Sequence, residues 1–238
     1  MMRYARHAAL GAVACLALTG CGGIEELGVP TASGPRGSSS DKQAGASGGG
    51  KEFTPSEDNQ DPTRKIDGVV EAEYEPGKHV KADQRVAYDR KPPLGGAHDG
   101  IWAACNGVIY PTAIRTENLV HSMEHGAVWL SYDPAKVTGD DVVALAERVQ
   151  AKPYTVMSPF PGQPKPVSVQ SWGRQLQVDE VDDPRIDQFI TATRANPYLS
   201  PEPGASCDMV DADLFDQDAP PPFDPTAPGP DAVPPTGE

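Results

Sequence analysis

Residues 119–126 of this 238-residue chain read LVHSMEHG, and the interpretation of the whole sequence depends on this segment. It contains two of the five histidines, His121 and His125, with Glu124 between them. Thr116 is a suitable N-cap, so we expect a helix that begins there and ends at His125. Side chains four residues apart lie one above the other on a helix, so these two imidazoles can chelate one metal ion.

The helix is predicted to separate its histidines from its apolar face. With Leu119 at zero and about 100° per residue, Met123 falls at about 40°. His121 and His125 fall at about 200° and about 240° on the same count. We therefore expect Met123 in the core and the two histidines exposed, with Gly126 as the residue that ends the helix.

The flanking sequence predicts a compact α+β domain over residues 66–207. Residues 127–132 read AVWLSY, which is typical of a strand buried on both faces. Thr138 and Asp141 form a predicted capping box for a second helix, and Asp183-Pro184 starts a third. Shorter strands are predicted at 69–74, 86–88, 108–110, 154–157 and 167–172. Because strands and helices alternate irregularly, one small domain with short strands and about three helices fits best.

Glycine and proline mark the two flanks of this domain. The chain has 24 Gly and 26 Pro, and they are concentrated on either side of the domain. Residues 21–65 are predicted to be a flexible linker, because their Ser- and Gly-rich runs present no periodic apolar face. Residues 208–238 are predicted to be a disordered, acidic and Pro-rich tail, because they contain almost no large apolar residue.

The N-terminus is typical of an export signal. Two arginines precede an apolar run from Ala8 to Leu18, which is too short to cross a hydrocarbon core of about 30 Å. The run ends in Leu-Thr-Gly-Cys, which resembles the bacterial lipobox, in which the cysteine is lipidated and becomes the first mature residue. Residues 1–20 are therefore predicted to be a lipoprotein signal peptide, with Cys21 as the palmitate-bearing residue. An ordinary secretory signal with a coincidental cysteine is the alternative.

This N-terminus predicts a protein that lies outside the cytoplasm and is anchored to the bacterial cell membrane by a lipid. Disulfides persist in that environment. Cys15 leaves with the signal and Cys21 carries the lipid, so Cys105 and Cys207 remain as the one possible disulfide pair. The alternative for these two cysteines is a pair of thiolate ligands to a metal, which an oxidising compartment disfavours.

The four histidines after the signal all lie between residues 79 and 125. One of them, His98, ends the loop PPLGGAH, which can be neither a helix nor a central strand. The leading hypothesis is one transition metal ion, copper or zinc, because neutral imidazole is the commonest metal ligand. The candidate ligands are His79, His98, His121, Glu124 and His125.

Two other hypotheses remain open. The histidines could be structural parts of an envelope interaction module, since an imidazolium suits the end of a helix. The order His-x-x-Glu-His also equals the inverted zincin motif, in which Glu124 would activate a metal-bound water. Such a hydrolase needs a third ligand further along the chain, for which Glu180 or Glu202 would have to serve. We therefore do not favour an enzyme.

Several other function classes receive no support from the sequence. It contains no Ser-His-Asp signature, phosphate loop or dinucleotide fingerprint. The formal net charge of -14 argues against a nucleic-acid partner, because phosphate neutralisation needs clustered Lys and Arg.

A set of short motifs, taken in order, identifies relatives of the chain. They are His79-Val80, the Pro-Pro-x-x-Gly-x-His loop to His98, residues 119–126, Ser171-Trp172-Gly173 and Pro201-Glu202-Pro203-Gly204. This set resembles the bacterial family DUF3105, a domain of unknown function, over about His79 to Cys207. The loop of that family often carries Thr-Ser where this chain has Leu94-Gly95. The resemblance implies that the loop to His98 and the helix to His125 belong to one module.

The lipidation site can be tested directly. A radiolabelled or clickable fatty acid should be incorporated into the full chain and not into its Cys21→Ala variant, because the thiol of Cys21 is the acceptor. Equal labelling of the two chains would contradict the prediction.

Overall fold

The computed structural model describes residues 50–237, and within them the chain forms three α-helices and eight short strands. The helices are α1 (Thr116–Glu124), α2 (Asp140–Ala146) and α3 (Arg185–Thr193). The strands are β1 (Val70–Glu71), β2 (His79–Val80), β3 (His98–Asp99), β4 (Asn106–Ile109), β5 (Val128–Tyr132), β6 (Thr155–Pro159), β7 (Val167–Ser171) and β8 (Arg174–Val178). Two 3₁₀ helices, Lys51–Phe53 and Pro62–Lys65, precede β1. The predicted α+β class is confirmed.

Strand β5 lies in the middle of a mixed six-stranded sheet. The strand order is β1-β8-β7-β5-β6-β4, and β5 pairs in parallel with β6 and antiparallel with β7. All five residues of β5 are buried, as its continuous apolar run predicted. Successive side chains of a strand point to opposite faces, so Leu130 joins one apolar cluster and Trp129 joins another. The sheet therefore separates two cores.

The helices pack on opposite faces of this sheet. Leu145 of α2 and Phe189 of α3 belong to the same cluster as Leu130. Met123 of α1 belongs to the cluster of Trp129 and has no exposed surface. The prediction that Met123 lies in the core is confirmed, and α1 stands alone among the helices on its side of the sheet.

The end of α1 follows the prediction, whereas two helix starts do not. Gly126 has a φ of 99°, which glycine adopts readily, and its N–H donates to the carbonyl of Met123 (3.0 Å). The N-cap of α1 is Arg115, one residue before the predicted Thr116. The predicted capping box of α2 does not form, because Gly139 occupies the N-cap position with a φ of 57°.

Strands β2 and β3 form a separate parallel pair that places His79 opposite His98. Arg115, at the start of α1, forms an ion pair with Asp99 of β3. The same guanidinium donates to the carbonyl of Gln84 (2.7 Å), which follows β2. These contacts hold the strand pair against α1.

The predicted disulfide between Cys105 and Cys207 is confirmed. The two residues are 102 positions apart, and the N–H of Cys105 donates to the carbonyl of Cys207 (2.8 Å). A cross-link that closes a loop of this length stabilises a domain by about 4–5 kcal/mol in the chain-entropy account. The bridge joins the segment before α1 to the segment after α3.

The C-terminal segment 208–237, for which a disordered tail was predicted, packs on the domain at several points. Phe215 is 1% exposed and lies in the core beside α1. Val233 forms an isolated parallel bridge with Val86, near β2. Composition does not indicate this packing. A few apolar side chains among prolines are enough to hold the segment on the domain when other segments form a groove for them. Proline also loses little conformational entropy on ordering.

The N-terminal boundary of the ordered domain also lies earlier than predicted. Thr63 is fully buried, and Asp61 accepts a hydrogen bond from the guanidinium of Arg174 (Oδ2 to Nη2, 2.7 Å). The predicted linker to residue 65 is therefore packed at its C-terminal end. The predicted signal peptide, Cys21 and the linker residues up to 49 lie outside the described residues. Among residues 50–237, no helix is long and apolar enough to cross a membrane.

The ordered tail can be tested with two neighbouring substitutions. Phe215→Ala should reduce the free energy of unfolding by about 3–5 kcal/mol, because it leaves a cavity in the core. Leu214→Ala is the matched control and should change it by less than about 0.5 kcal/mol, since Leu214 is 59% exposed. Denaturant titration measures both values, and equal effects would contradict the packing of the tail.

Candidate metal centre

Four histidines converge where β2 and β3 meet the end of α1. His79 and His98 lie side by side because the two strands pair in register. The ring centroids are 4.9 Å apart for His79 and His98, and 4.8 Å apart for His98 and His121. His121 and His125, one helical turn apart, have centroids 4.6 Å apart. The expected proximity of His98 to the histidines of α1 is confirmed.

Three of these imidazoles are buried, which corrects the prediction that the histidines of α1 are exposed. His98 is 0% exposed, and His121 and His125 are each 4% exposed. The polar face of α1 is covered by β3 and by the segment before Cys207, so all nine residues of the helix are buried. The side chain of His79 remains 48% exposed.

Each buried imidazole is held through its Nδ1 atom by a backbone carbonyl. The pairs are His98 with Gly96 (2.8 Å), His121 with Asp99 (2.7 Å) and His125 with Ser206 (2.6 Å). A carbonyl oxygen can only accept, so in each ring Nδ1 carries a proton and a neutral ring offers a lone pair at Nε2. Metal-ligating imidazoles are commonly oriented in this way.

Two buried polar atoms face each other without a hydrogen bond. Nε2 of His98 and Oε2 of Glu124 are 2.9 Å apart, and both side chains are 0% exposed. Neither atom has a hydrogen-bond partner among the described residues. With the proton of His98 on Nδ1, the two atoms present lone pairs to each other. This arrangement of the neutral ring costs free energy unless a second proton on His98 or a metal ion is shared between the two atoms.

The carboxylate of Glu124 is fixed and ionised. Its Oε1 accepts a hydrogen bond from the N–H of Gly77 (2.6 Å). Burial raises the pKa of this carboxyl, but the pairing with His98 and then the bond from Gly77 lower the pKa below its ordinary value. Glu124 is therefore negatively charged at neutral pH, and its Oε2 is oriented toward the histidines.

His121 is held in its neutral form. Burial, followed by the neighbouring His98, lowers the pKa of His121 to about 3, although the bond to the Asp99 carbonyl opposes this shift. Neutral imidazole is the form that binds metal ions, so protons do not compete for this nitrogen at physiological pH.

The side chains form two overlapping groups with the spacing of metal ligands. The inner group is His79, His98, His121 and Glu124, and the outer group is His121, His125 and Glu202. Within each group, one ligand atom per residue lies within 4.8 Å of all the others. Ligand atoms around tetrahedral zinc lie about 3.3 Å apart, given bonds of about 2.0–2.1 Å. Small inward movements would therefore complete either set.

Aromatic rings pack against the imidazoles of both groups. The ring of Trp102 lies 4.8 Å from that of His125 and 5.6 Å from that of His121. Trp172 meets the ring of His98 edge-on at 5.8 Å. Water is thereby excluded from one side of each imidazole, and electrostatic interactions are stronger in such surroundings.

All five ligand residues that the sequence predicted lie close together in the structure, but they belong to two groups rather than one. His125 belongs with Glu202 (Nε2 to Oε2, 3.4 Å) rather than with His98. Sequence reasoning considered Glu202 only as a ligand of a hydrolase. A signal was present, because Glu202 precedes Cys207 by five residues and the predicted bridge to Cys105 brings it near α1.

Comparison with known proteins gives a family match over this region. The sequence model of the family described as Protein of unknown function (DUF3105) matches residues 79–209, which is more than half of the chain. The match includes every residue of the inner and outer groups and both disulfide cysteines. No curated protein and no solved structure matches the chain.

The tautomers of the buried histidines are open to measurement. We expect the metal-free chain at neutral pH to carry the ring proton of His98, His121 and His125 on Nδ1, because a carbonyl accepts from each Nδ1. Two-bond proton–nitrogen correlation spectra distinguish Nδ1 from Nε2 protonation. A proton on Nε2 of any of the three would contradict the arrangement, and the half-exposed His79 serves as the internal comparison.

Proposed function

The chain belongs to the DUF3105 family, and we propose that its domain binds one transition metal ion, zinc or copper, through the inner group. We also propose that the protein is a lipoprotein that Cys21 anchors outside the cytoplasm. The family description names no activity, so the proposal rests on the chemistry of the site.

The observation that carries the proposal is the facing pair formed by His98 and Glu124. Structural histidines and buried carboxylates are normally satisfied by hydrogen bonds. Here the Nδ1 of His98 and the Oε1 of Glu124 are satisfied, whereas the two atoms that face each other are not. A divalent cation between them would accept both lone pairs. The imidazoles of His79 and His121 converge on the same pair, which supports a metal site over an envelope module with purely structural histidines.

The donor set of the inner group favours zinc or copper. It consists of three imidazole nitrogens and one carboxylate oxygen, a mixture that suits both ions. The two cysteines of the domain cannot contribute thiolates, because they form the disulfide. Since Glu124 is ionised and His121 is neutral, these two ligands are already in their metal-binding protonation states.

One side of the inner group can be reached from solvent. The side chain of His79 is 48% exposed, and its Nε2 lies 4.0 Å from Oε2 of Glu124. Movement of this half-exposed ring could close or open the fourth ligand position. An ion held in this way can exchange, which supports a role in metal handling at the cell envelope.

The geometry gives less support to a hydrolase. In the inverted zincin motif, Glu124 would activate a water on an ion held by His121 and His125. The carboxylate of Glu124 instead faces Gly77 with one oxygen and His98 with the other. This orientation supports a role for Glu124 as a ligand of the inner group rather than as a base for the outer group.

The proposed location rests on one feature of the sequence and one bond. The basic, apolar and Leu-Thr-Gly-Cys segments occur in the order of a lipoprotein signal. The disulfide between Cys105 and Cys207 is the kind of bond that persists outside the cytoplasm. The partner that this location implies is the membrane itself, reached through the lipid.

Metal binding is tested with the full chain carrying Cys15→Ser and Cys21→Ser, which we call the thiol-free chain. It should bind about one equivalent of Zn²⁺ or Cu²⁺, because one ion completes the inner group. Glu124→Gln should weaken binding by about 10–100-fold or more, since it removes the only charged ligand. Titration calorimetry and elemental analysis measure affinity and stoichiometry.

A matched control is available on the same helix. Glu117 is also buried, and its Oε1 accepts the N–H of Val86 (2.9 Å), but it belongs to neither metal group. Glu117→Gln should leave the affinity unchanged. No measurable uptake of either ion by the parent, or equal affinities of the two Gln variants, would contradict the proposed function.

A further inference from the structure

The inner and outer groups share one ligand, His121, and this sharing suggests how an ion reaches the buried site. Resting on the proposed function, we infer that the outer group is a transfer position through which the ion enters and leaves the inner group. The ion would first be held by His125, Glu202 and His121. It would then pass to His98 and Glu124 while His121 remains bound.

His121 has a single lone pair with which it can bind a metal ion. Its Nδ1 is engaged by the carbonyl of Asp99 (2.7 Å), so only Nε2 can bind a metal. One lone pair binds one ion, which means that His121 cannot serve both groups at the same time. The rings of His98 and His125 lie at nearly equal distances from that of His121, 4.8 and 4.6 Å. A small movement of the ion therefore exchanges one set of partners for the other.

The two groups differ in their access to solvent. The carboxylate of Glu202 is 47% exposed, whereas that of Glu124 is 0% exposed. An exposed carboxylate attracts a cation from water without the cost of its own desolvation. The outer group thus lies on the solvent side and the pair of His98 and Glu124 on the buried side.

Hydrogen bonds to the backbone hold Glu202 beside the C-terminal end of α1. The N–H of Glu202 donates to the carbonyl of Glu124 (3.2 Å), and the hydroxyl of Ser200 donates to the same carbonyl (3.0 Å). Trp102 packs on the rings of His125 and His121, and its indole N–H donates to the carbonyl of Asp208 (2.8 Å). The outer group is therefore built by packing and hydrogen bonds rather than by a chance approach of side chains.

The transfer is a ligand exchange without oxidation or proton loss. The bonds from the ion to His125, Glu202 and one water break, bonds to His79, His98 and Glu124 form, and the bond to His121 is retained. No proton has to move at the buried rings, since each already carries its proton on Nδ1. The charge on the ligands is the same before and after, because one carboxylate replaces another.

The test measures rates and affinity separately in the thiol-free chain. Zn²⁺ association is followed by stopped flow, and dissociation is followed by capture with an excess of a coloured chelator. Glu202→Gln should slow both rates by about 10-fold and leave the affinity within about twofold, because it removes a ligand that is used only in passage. His125→Gln is a second variant that should act in the same direction.

Glu180→Gln is the control, since Glu180 is an exposed acidic residue between β8 and α3 and its loss changes the net charge equally. It should change neither rate. Among the described residues, the carboxylate of Glu202 approaches only the imidazole of His125 in an ion pair, so its replacement is not expected to affect folding.

Three results would overturn the inference. Unchanged rates in Glu202→Gln would show that the ion passes directly by His79. A loss of affinity of more than about 10-fold in Glu202→Gln would make Glu202 a permanent ligand. Binding of two ions by the parent would show that the groups fill together. The first two results leave the proposed function intact, because it stands or falls with the loss of affinity in Glu124→Gln. The third result would also contradict its stoichiometry of one ion.

Discussion

A short helix that is buried on every side imposes the main constraint on this structure. All nine residues of α1 are buried, and one of them is the ionised Glu124. A polar group that is buried without a partner costs about 1–3 kcal/mol, and a charge costs more. Backbone groups from three distant segments therefore meet this helix. Gly77 supplies an amide, while Asp99 and Ser206 supply carbonyls.

Two of these segments, and the loop before β3, each depend on a different contact. Asp99 is held by its ion pair with Arg115, and Ser206 is held by the disulfide of the adjacent Cys207. The loop that leads to β3 is fastened by the C-terminal segment, since the N–H of Ala97 donates to the carbonyl of Pro235 (2.7 Å). The disulfide, the strand pair and the tail thus stabilise one another through the polar face of α1. A change in any of them is therefore expected to shift the positions of the histidines.

The same arrangement satisfies every buried imidazole at Nδ1 and leaves two facing atoms unsatisfied at its centre. Where a protein leaves buried polar groups without a hydrogen bond, the position is usually a functional site at which a ligand completes the bonding. The facing atoms of His98 and Glu124 form such a position, and the shared His121 links them to the more exposed Glu202. Binding of an ion would also stabilise the fold, because the ligands come from β2, β3 and α1.

Local features could be predicted from the sequence by itself. The end of α1 at Gly126, the buried strand β5 and the pairing of Cys105 with Cys207 depend on neighbouring residues or on the cysteine count. Only the tertiary structure decided what covers the helix. Periodicity tells which residues share a face, but burial depends on segments far away in the chain, so the exposure of the histidines was mispredicted. The places of Phe215 and Glu202 were decided in the same way, because each needs a surface that other segments build.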